Sequence, residues 1–294
     1  MNIQNYNFAH INRNQQNLAQ ALNGVSSGLR INRAADDAAG LAVASRFSSE
    51  HTSLLQASRN INDGIGMLQT IEDTLESHGN IAMRMRELLV QANNETYTSN
   101  DRGQIRIELV ELRREYERIS QEAEFNGLGI MGDNPTTISI QIGHFNNSDN
   151  RIDIDLSTLY SFRDITDNLT ILRGRNGIGF VNPNSGVELL NDHSSYNRNG
   201  FANKIGIGLT EVDTLYTSIT QRQAIVGALQ NRMESALNTN RSYENNLLAS
   251  SSSIVDADYA HFSSSVVRHQ VRMDASVSSL AQARGLSKNI LALL

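Results

Sequence analysis

INRNQQNLAQALNGVSSGL, residues 11–29, places Ile11, Leu18, Leu22, Val25 and Leu29 at spacings of 7, 4, 3 and 4, the rhythm of a coiled-coil seam. At the far end of the chain VVRHQVRMDASVSSL (266–280) repeats that rhythm with Val266, Met273, Val277 and Leu280, and Leu286, Ile290, Leu291, Leu293 and Leu294 crowd the final turns. Chain ends ordinarily fray. An apolar stripe left open costs roughly 25 cal/mol for each Å² it exposes, so the two ends are expected to pair with each other or with neighbouring copies. Two ends that both need partners describe a chain built to assemble.

Working inward, helical periodicity fills both outer thirds. Ile61, Ile65, Leu68, Leu75, Ala82 and Leu89 share one register, and Ile105, Leu109, Leu112, Tyr116, Ile119 and Ala123 share another. Between them NNETYTSNDRG (93–103) is a polar turn, with Ser99 or Asn100 as the expected N-cap, so two long helices should fold back antiparallel. After Lys204 a longer register runs through Val212, Tyr216, Ile219, Val226, Met233, Leu237 and Leu247, with Gln223, Gln230, Asn240 and Glu244 in the remaining seam slots. Polar seam residues weaken packing but fix register. The glycines of KIGIGL (204–209) are expected to turn the chain before this helix. The four serines in LLASSSSIVDADYA (247–260) compete for backbone hydrogen bonds and predict a hinge, and Asp256 and Asp258 read as N-caps.

The middle third changes period. TTISIQI (136–142) and RIDIDL (151–156) alternate apolar and polar residues around the turn-rich GHFNNSDN, the pattern of a β-hairpin. From about 168 to 203 the chain turns rich in Gly, Asn and Ser without a period and reads as a short surface segment. The fold class expected is therefore mainly α, with long helices forming a terminal coiled coil, an antiparallel helical bundle carrying a β-hairpin, and a small irregular central segment.

Composition narrows the function classes. Cys and Trp are absent and Pro occurs only at 135 and 183, so disulfides and thiolate metal sites are out of reach. Hydrophobic residues make up 39%, below the usual ~45–50%, which predicts a thin core. A formal charge of −6 with no basic tract gives no net attraction for nucleic acid or anionic lipid. No apolar run approaches the ~18 residues of a membrane helix. The opening MNIQNYNFAHINRNQQN has neither the charged n-region nor the apolar h-region of a signal peptide, so export would have to use another address. Seven histidines form no H-E-x-x-H, and there is no G-x-S-x-G or P-loop. No catalytic, cofactor or metal residues are expected. In RINRAADDAAGLAVA (30–44), Arg33 reaches Asp36 at i+3 and Asp37 at i+4, beside a face of small residues suited to close helix approach.

These segments, read together, resemble the bacterial flagellins. SSGLRINRAADDAAGLAVASRF (26–47), LLQASRNINDGIGMLQTIEDTL (54–75), MRMRELLVQANN (83–94), EAEFNGLGIM (122–131), IVDADYA (254–260) and SVSSLAQARGLSKNILALL (276–294) run in flagellin order. The resemblance implies a filament subunit whose ends are disordered in the free monomer and pair in the polymer. It implies an inner coiled-coil domain of 1–42 with 254–294, a bundle of 43–167 with 204–253, and a short insertion at 168–203 in place of outer domains. That segment is too short to fold as an enzyme or adhesin. Leu18, Leu22, Val25, Leu29, Val266, Met273, Val277, Leu280, Leu286 and Ile290 would line the polymer's inner tube, with Arg30, Arg33, Asp36 and Asp37 as subunit contacts. Arg84 and Leu88, on one helix face at i and i+4, and Glu115 on the next helix match positions through which Toll-like receptor 5 recognises many flagellins. The implied partners are further copies of the chain, an export chaperone, the type III export apparatus, a filament cap and hook-associated junction proteins. The filament is expected outside the cell, a periplasmic one being the alternative. A hook-filament junction protein is the alternative for the chain itself.

Overall fold

The computed structural model describes residues 3–131, 137–159 and 198–292. Helices α1 (Ile3–Ser27), α2 (Ala38–Ala92) and α3 (Ser99–Glu122) are followed by strands β1 (Glu124–Phe125), β2 (Leu128–Gly129), β3 (Thr137–Gln141) and β4 (Arg151–Asp155). A single turn, α4 (Leu156–Leu159), and the long helices α5 (Arg198–Val255) and α6 (Tyr259–Ala292) complete the order. The mainly helical class with a β-hairpin is thus present. Most of the 168–203 segment, with Pro135 and Pro183, lies outside the described residues, although α5 already begins at Arg198. The chain divides into two compact units, residues 56–240 and residues 1–55 with 241–294.

In the 56–240 unit the sequence rhythm becomes geometry. Along α2, Ala57, Ile61, Gly64, Leu68, Ile71, Leu75, His78, Ala82, Met85, Leu89 and Ala92 are all buried, alternating steps of four and three residues without a break, as a seam facing partner helices requires. Ion pairs and hydrogen bonds give direction. Arg84 of α2 meets Glu108 of α3 at 2.6 Å, and His78 lies 3.2 Å from Ser120. Arg86 meets Asp213 of α5 at 2.6 Å, and Gln230 donates to Glu72 at 2.8 Å. In both pairings one number falls as the other rises, so α2 runs antiparallel to α3 and to α5.

Two seam positions on α5 differ from expectation. Leu215 and Arg222 are buried at 6% and 7%, whereas Tyr216 is 38% exposed and Gln223 is only half-buried. The seam runs Val212, Leu215, Ile219, Arg222, Val226, and rejoins the expected register at Val226. The 3.5-residue spacing points to Gln223, and an arginine is rarely buried, so spacing alone does not find Arg222. The KIGIGL glycines are also helical, with Gly208 buried inside α5. The ~1 kcal/mol that each glycine costs relative to alanine is outweighed by the apolar face just beyond.

Helix α3 is capped by Thr98, not Ser99 or Asn100. The Thr98 hydroxyl accepts from the Asp101 N–H at 3.3 Å, and the Asp101 carboxylate accepts the Thr98 N–H at 3.0 Å. This reciprocal box needs an acidic residue three places on, which only Thr98 has in that turn. The Thr98 hydroxyl in turn donates to the Asp101 carboxylate at 2.7 Å, and that bond, then the one from the Thr98 N–H, holds the Asp101 carboxyl below its ordinary pKa. Thr98→Ala is expected to cost about 1 kcal/mol, read as a lower urea midpoint with an unchanged m-value.

Two hairpins lie against the bundle. The first, β1–β2, turns through Asn126 (φ 52) and Gly127 (φ 77), a two-residue turn that needs positive φ at both central positions. Asn-Gly is the sequence signal for such a turn, here between strands of only two residues. The second pairs β3 with β4 antiparallel, Ile138 opposite Ile154 and Ile140 opposite Ile152, as the alternation implied. Its isoleucine face joins the cluster of Ile61, Leu68, Ile71, Leu75, Val226 and Met233. Gly64 permits this approach, because a Cβ there would sit 2.4 Å from Ile140 Cδ1 and 3.0 Å from Met233 Cε.

In the other unit, α1 packs on α6. The serine run does not hinge. Ser250 to Ser253 are helical: the Ser253 hydroxyl donates back to the Ser250 carbonyl and the Ser252 hydroxyl forward to the Asp256 carboxylate, so neither breaks the helix. The break falls at 256–258. Asp258 accepts the N–H groups of Ala260 and His261 at 3.0 and 3.1 Å and so caps α6, as expected of an aspartate before a helix.

Candidate assembly interface

The pairing of the two terminal helices is antiparallel: Gly24 near the end of α1 abuts Phe262 near the start of α6, and Leu29 bridges Asp256. On α1, Ile11, Asn14, Leu18, Ala21, Gly24 and Val25 are buried or half-buried. On α6, Phe262, Val266, His269, Met273, Ser276 and Leu280 are half-buried, again at alternating steps of four and three. Leu18, Val25, Val266, Met273 and Leu280 therefore lie in the seam of this pair.

Three others do not. Leu22 is 48% and Val277 51% exposed, their places taken by Ala21 and Ser276. Small residues let the two backbones come close, and a leucine or valine at those slots would hold them apart. Leu29 lies beyond α1, because Gly28 at φ 71 ends the helix. The side chains of Leu286 and Ile290 lie outside the described residues. The opposite face of α6 carries Val267 and Val271, each more than 60% exposed, while Tyr259, in the seam register but at the first residue of the helix, is 66% exposed. The sequence reading missed these, since the valines fall outside the seam register, and that misfit was the available signal.

The linker between α1 and α2 is tied to the break between α5 and α6. The Arg30 N–H donates to the Val255 carbonyl at 2.6 Å, its guanidinium donates to the Ile254 carbonyl, and the Ala257 N–H donates to the Gly28 carbonyl at 2.9 Å. Asp36 and Asp37 do not serve Arg33's guanidinium as their spacing implied, because residues 32–37 are not helical. Asp36 accepts the N–H groups of Asn32 and Arg33 at 3.1 and 2.9 Å, and Asp37 accepts that of Gly40 at 2.9 Å, where it caps α2. Both carboxylates shape backbone.

The shared face of Arg84 and Leu88 divides. Arg84 is exposed and binds Glu108 and Glu87, which raise its pKa, Glu108 the more. Leu88 is 2% exposed and sits in a cluster with Met85, Leu89, Ile105, Leu109 and Val212. The i, i+4 rule sets two residues near one another, but the boundary of burial runs between them. Arg84's acidic partner on α3 is Glu108. Glu115, two turns further along, pairs with Arg118, which lowers its carboxyl pKa.

Among the described residues no group of three or more His, Cys, Asp or Glu is placed to hold a metal ion. No described helix is long and apolar enough to cross a membrane.

Residues 1–136 match the pattern of the bacterial flagellin N-terminal helical region, and residues 209–294 that of the bacterial flagellin C-terminal helical region. A flagellin of Halalkalibacterium halodurans is 33% identical over 97% of this chain and 93% of its own length. A flagellar filament 31.3 kDa core protein of Treponema maltophilum is 31% identical over 95% of this chain and 93% of its own. A crystal structure of Bacillus cereus flagellin, 22% identical, covers 62% of this chain and 88% of its own at a TM-score of 0.46. With both terminal helical regions matched and relatives aligned nearly end to end, the chain belongs to the bacterial flagellin family.

Proposed function

We propose that this flagellin, a structural subunit of the flagellar filament, polymerises through the paired terminal helices, using the apolar side chains that the pair leaves uncovered. The observation that carries the reading is the exposure of Val267 and Val271 on α6, with Leu22 and Val277 at the margins of the seam. Exposed apolar groups aligned on long helices are removed from water when copies pack side by side. Copies related by a screw operation meet through unlike patches and do not close, so the product is a filament. The relatives described above are filament proteins, which leaves the junction-protein alternative without support.

The finer assignments rest on family membership. The filament stands outside the cell, the subunit leaves through the type III export apparatus with a chaperone, and growth proceeds under a cap from hook-associated junction proteins. Receptor recognition of released monomer would engage Arg84 and Glu115. Leu88 would enter only if the local cluster opened.

Electron microscopy of the purified full chain after seeding tests the polymerisation reading, with a Val267→Glu, Val271→Glu double variant beside it. Long tubes from the parent and none from the variant, at equal helicity by circular dichroism, are expected. Tubes from both would overturn the assignment of this face. Short rings from the parent would return the junction reading.

A further inference from the structure

Among the described residues, the bundle buries two charge-bearing side chains, His78 and Arg222, that assembly through the terminal helices does not use. His78 of α2 is fully buried, one step of an otherwise apolar or small-residue seam. Its ring stacks on Tyr116 of α3 with centroids 3.8 Å apart and an interplanar angle of 16°. Ser120, one turn further along α3, donates its hydroxyl proton to the Tyr116 carbonyl at 2.8 Å and lies 3.2 Å from His78 Nε2. That proton being committed, the serine oxygen accepts from Nε2–H, which selects the neutral imidazole with its lone pair on Nδ1. Arg222 of α5, buried at 7%, is the charged group that faces the ring.

We propose that His78 is an acid-sensitive latch of the helical bundle: neutral, it joins α2 to α3 beneath Arg222, and protonated, it opens the bundle. Protonating the ring places a second positive charge near Arg222 at a position closed to solvent, where burial penalises the charged form. Desolvation by burial, then the charge of Arg222, hold the His78 pKa at about 4, and the Tyr116 carbonyl, which favours the protonated ring, restores only part of the loss. An unfolded histidine titrates near 6.5. Between those values the unfolded chain binds a proton that the folded bundle does not, so stability is complete above about pH 6.5 and declines as pH falls toward 4. Below that both forms are protonated and the contribution is constant. The carboxylates held below their ordinary pKa, Asp101, Glu115 and Asp155, lose their contributions as pH falls below ordinary values of 3.8 to 4.5, below the pH 5 used in the test.

Urea unfolding of the full chain at pH 7.5 and pH 5, parent against His78→Phe, tests the latch. Phenylalanine keeps the stack on Tyr116 and leaves the Ser120 hydroxyl bonded to its carbonyl. In the parent the folded-to-unfolded ratio is expected to fall about thirtyfold between the two pH values, and in the variant by less than threefold. Equal losses in both would overturn the proposal. Should His78→Phe fail to fold, imidazole resonances of the folded parent decide, with His78 assigned through its contacts to Tyr116. A His78 resonance that keeps its neutral shift down to pH 5 supports the latch, and one that titrates near 6.5 refutes it.

Discussion

Gly24→Val is expected to abolish seeded polymerisation while leaving the bundle's urea midpoint where it was. Gly24 is buried in the seam of the terminal pair, and a Cβ there would lie 2.6 Å from two ring carbons of Phe262. An aromatic ring cannot fold its edge away as a methionine tip can. It must rotate out of the seam, or α1 must lift off α6. Overpacking of this kind costs about 1–3 kcal/mol. The terminal pair has little to set against that cost, since Asn14, His269 and Ser276 fill seam slots that apolar side chains would otherwise hold. Valine is a better helix former than glycine, so a loss of assembly could not be put down to helix propensity. Adding Phe262→Ala to Gly24→Val should recover part of the growth rate, because the two changes share one volume and are not additive. Light scattering after seeding reads the effect. Growth at the parental rate from Gly24→Val, or no gain from the double variant, would show that the close approach of α1 and α6 is not required in the filament.

The seam that Gly24 belongs to marks how far sequence carried the reading. The period was legible throughout: α2 buries one step in every three or four from Ala57 to Ala92, and the β3–β4 alternation appears in the sequence as it does in the fold. What the period could not supply was the choice between neighbours. At Ala21 against Leu22 and Ser276 against Val277, the larger residue looked like the seam, yet close approach of two backbones selects the smaller. At Arg222 against Gln223, a charge looked like the outside, yet the bundle buries it beside His78. Local chemistry misleads in the other direction at the serine run, which stays helical while the Ser253 hydroxyl bonds back to Ser250 and that of Ser252 reaches Asp256. Thr98 and the Asn126-Gly127 turn are faint signals in the sequence, the first because its partner stands three residues away and the second because its strands are only two residues long. For the interface, the linker residues Arg30, Asp36 and Asp37 were noticed for their charge. Their work in the chain is to bond backbone groups.

The hairpin shows the opposite case, in which sequence and packing agree and the expected effect is large. A two-stranded hairpin is marginal in water by itself, so β3–β4 depends on docking its isoleucines. Ile152 and Ile154 are fully buried in the bundle cluster, while Ser139 and Asp153 on the other face are exposed and bond each other at 2.5 Å. Ile152→Ala removes a buried side chain from a site walled by α2 and α5 and is expected to cost about 2–5 kcal/mol. Ser139→Ala, on the other face and one residue before Ile140, the partner of Ile152, should stay within about 0.5 kcal/mol, because an exposed hydrogen bond exchanges readily with water. Urea midpoints separate the two, and limited proteolysis adds a local reading: in Ile152→Ala the loop 143–150 should be cut faster than in the parent, and in Ser139→Ala at the parental rate. Equal and small effects at both positions would mean that the isoleucine face does not hold the hairpin down. The bundle beneath, with Gly64 kept open for Ile140, would then need another reason for leaving that space.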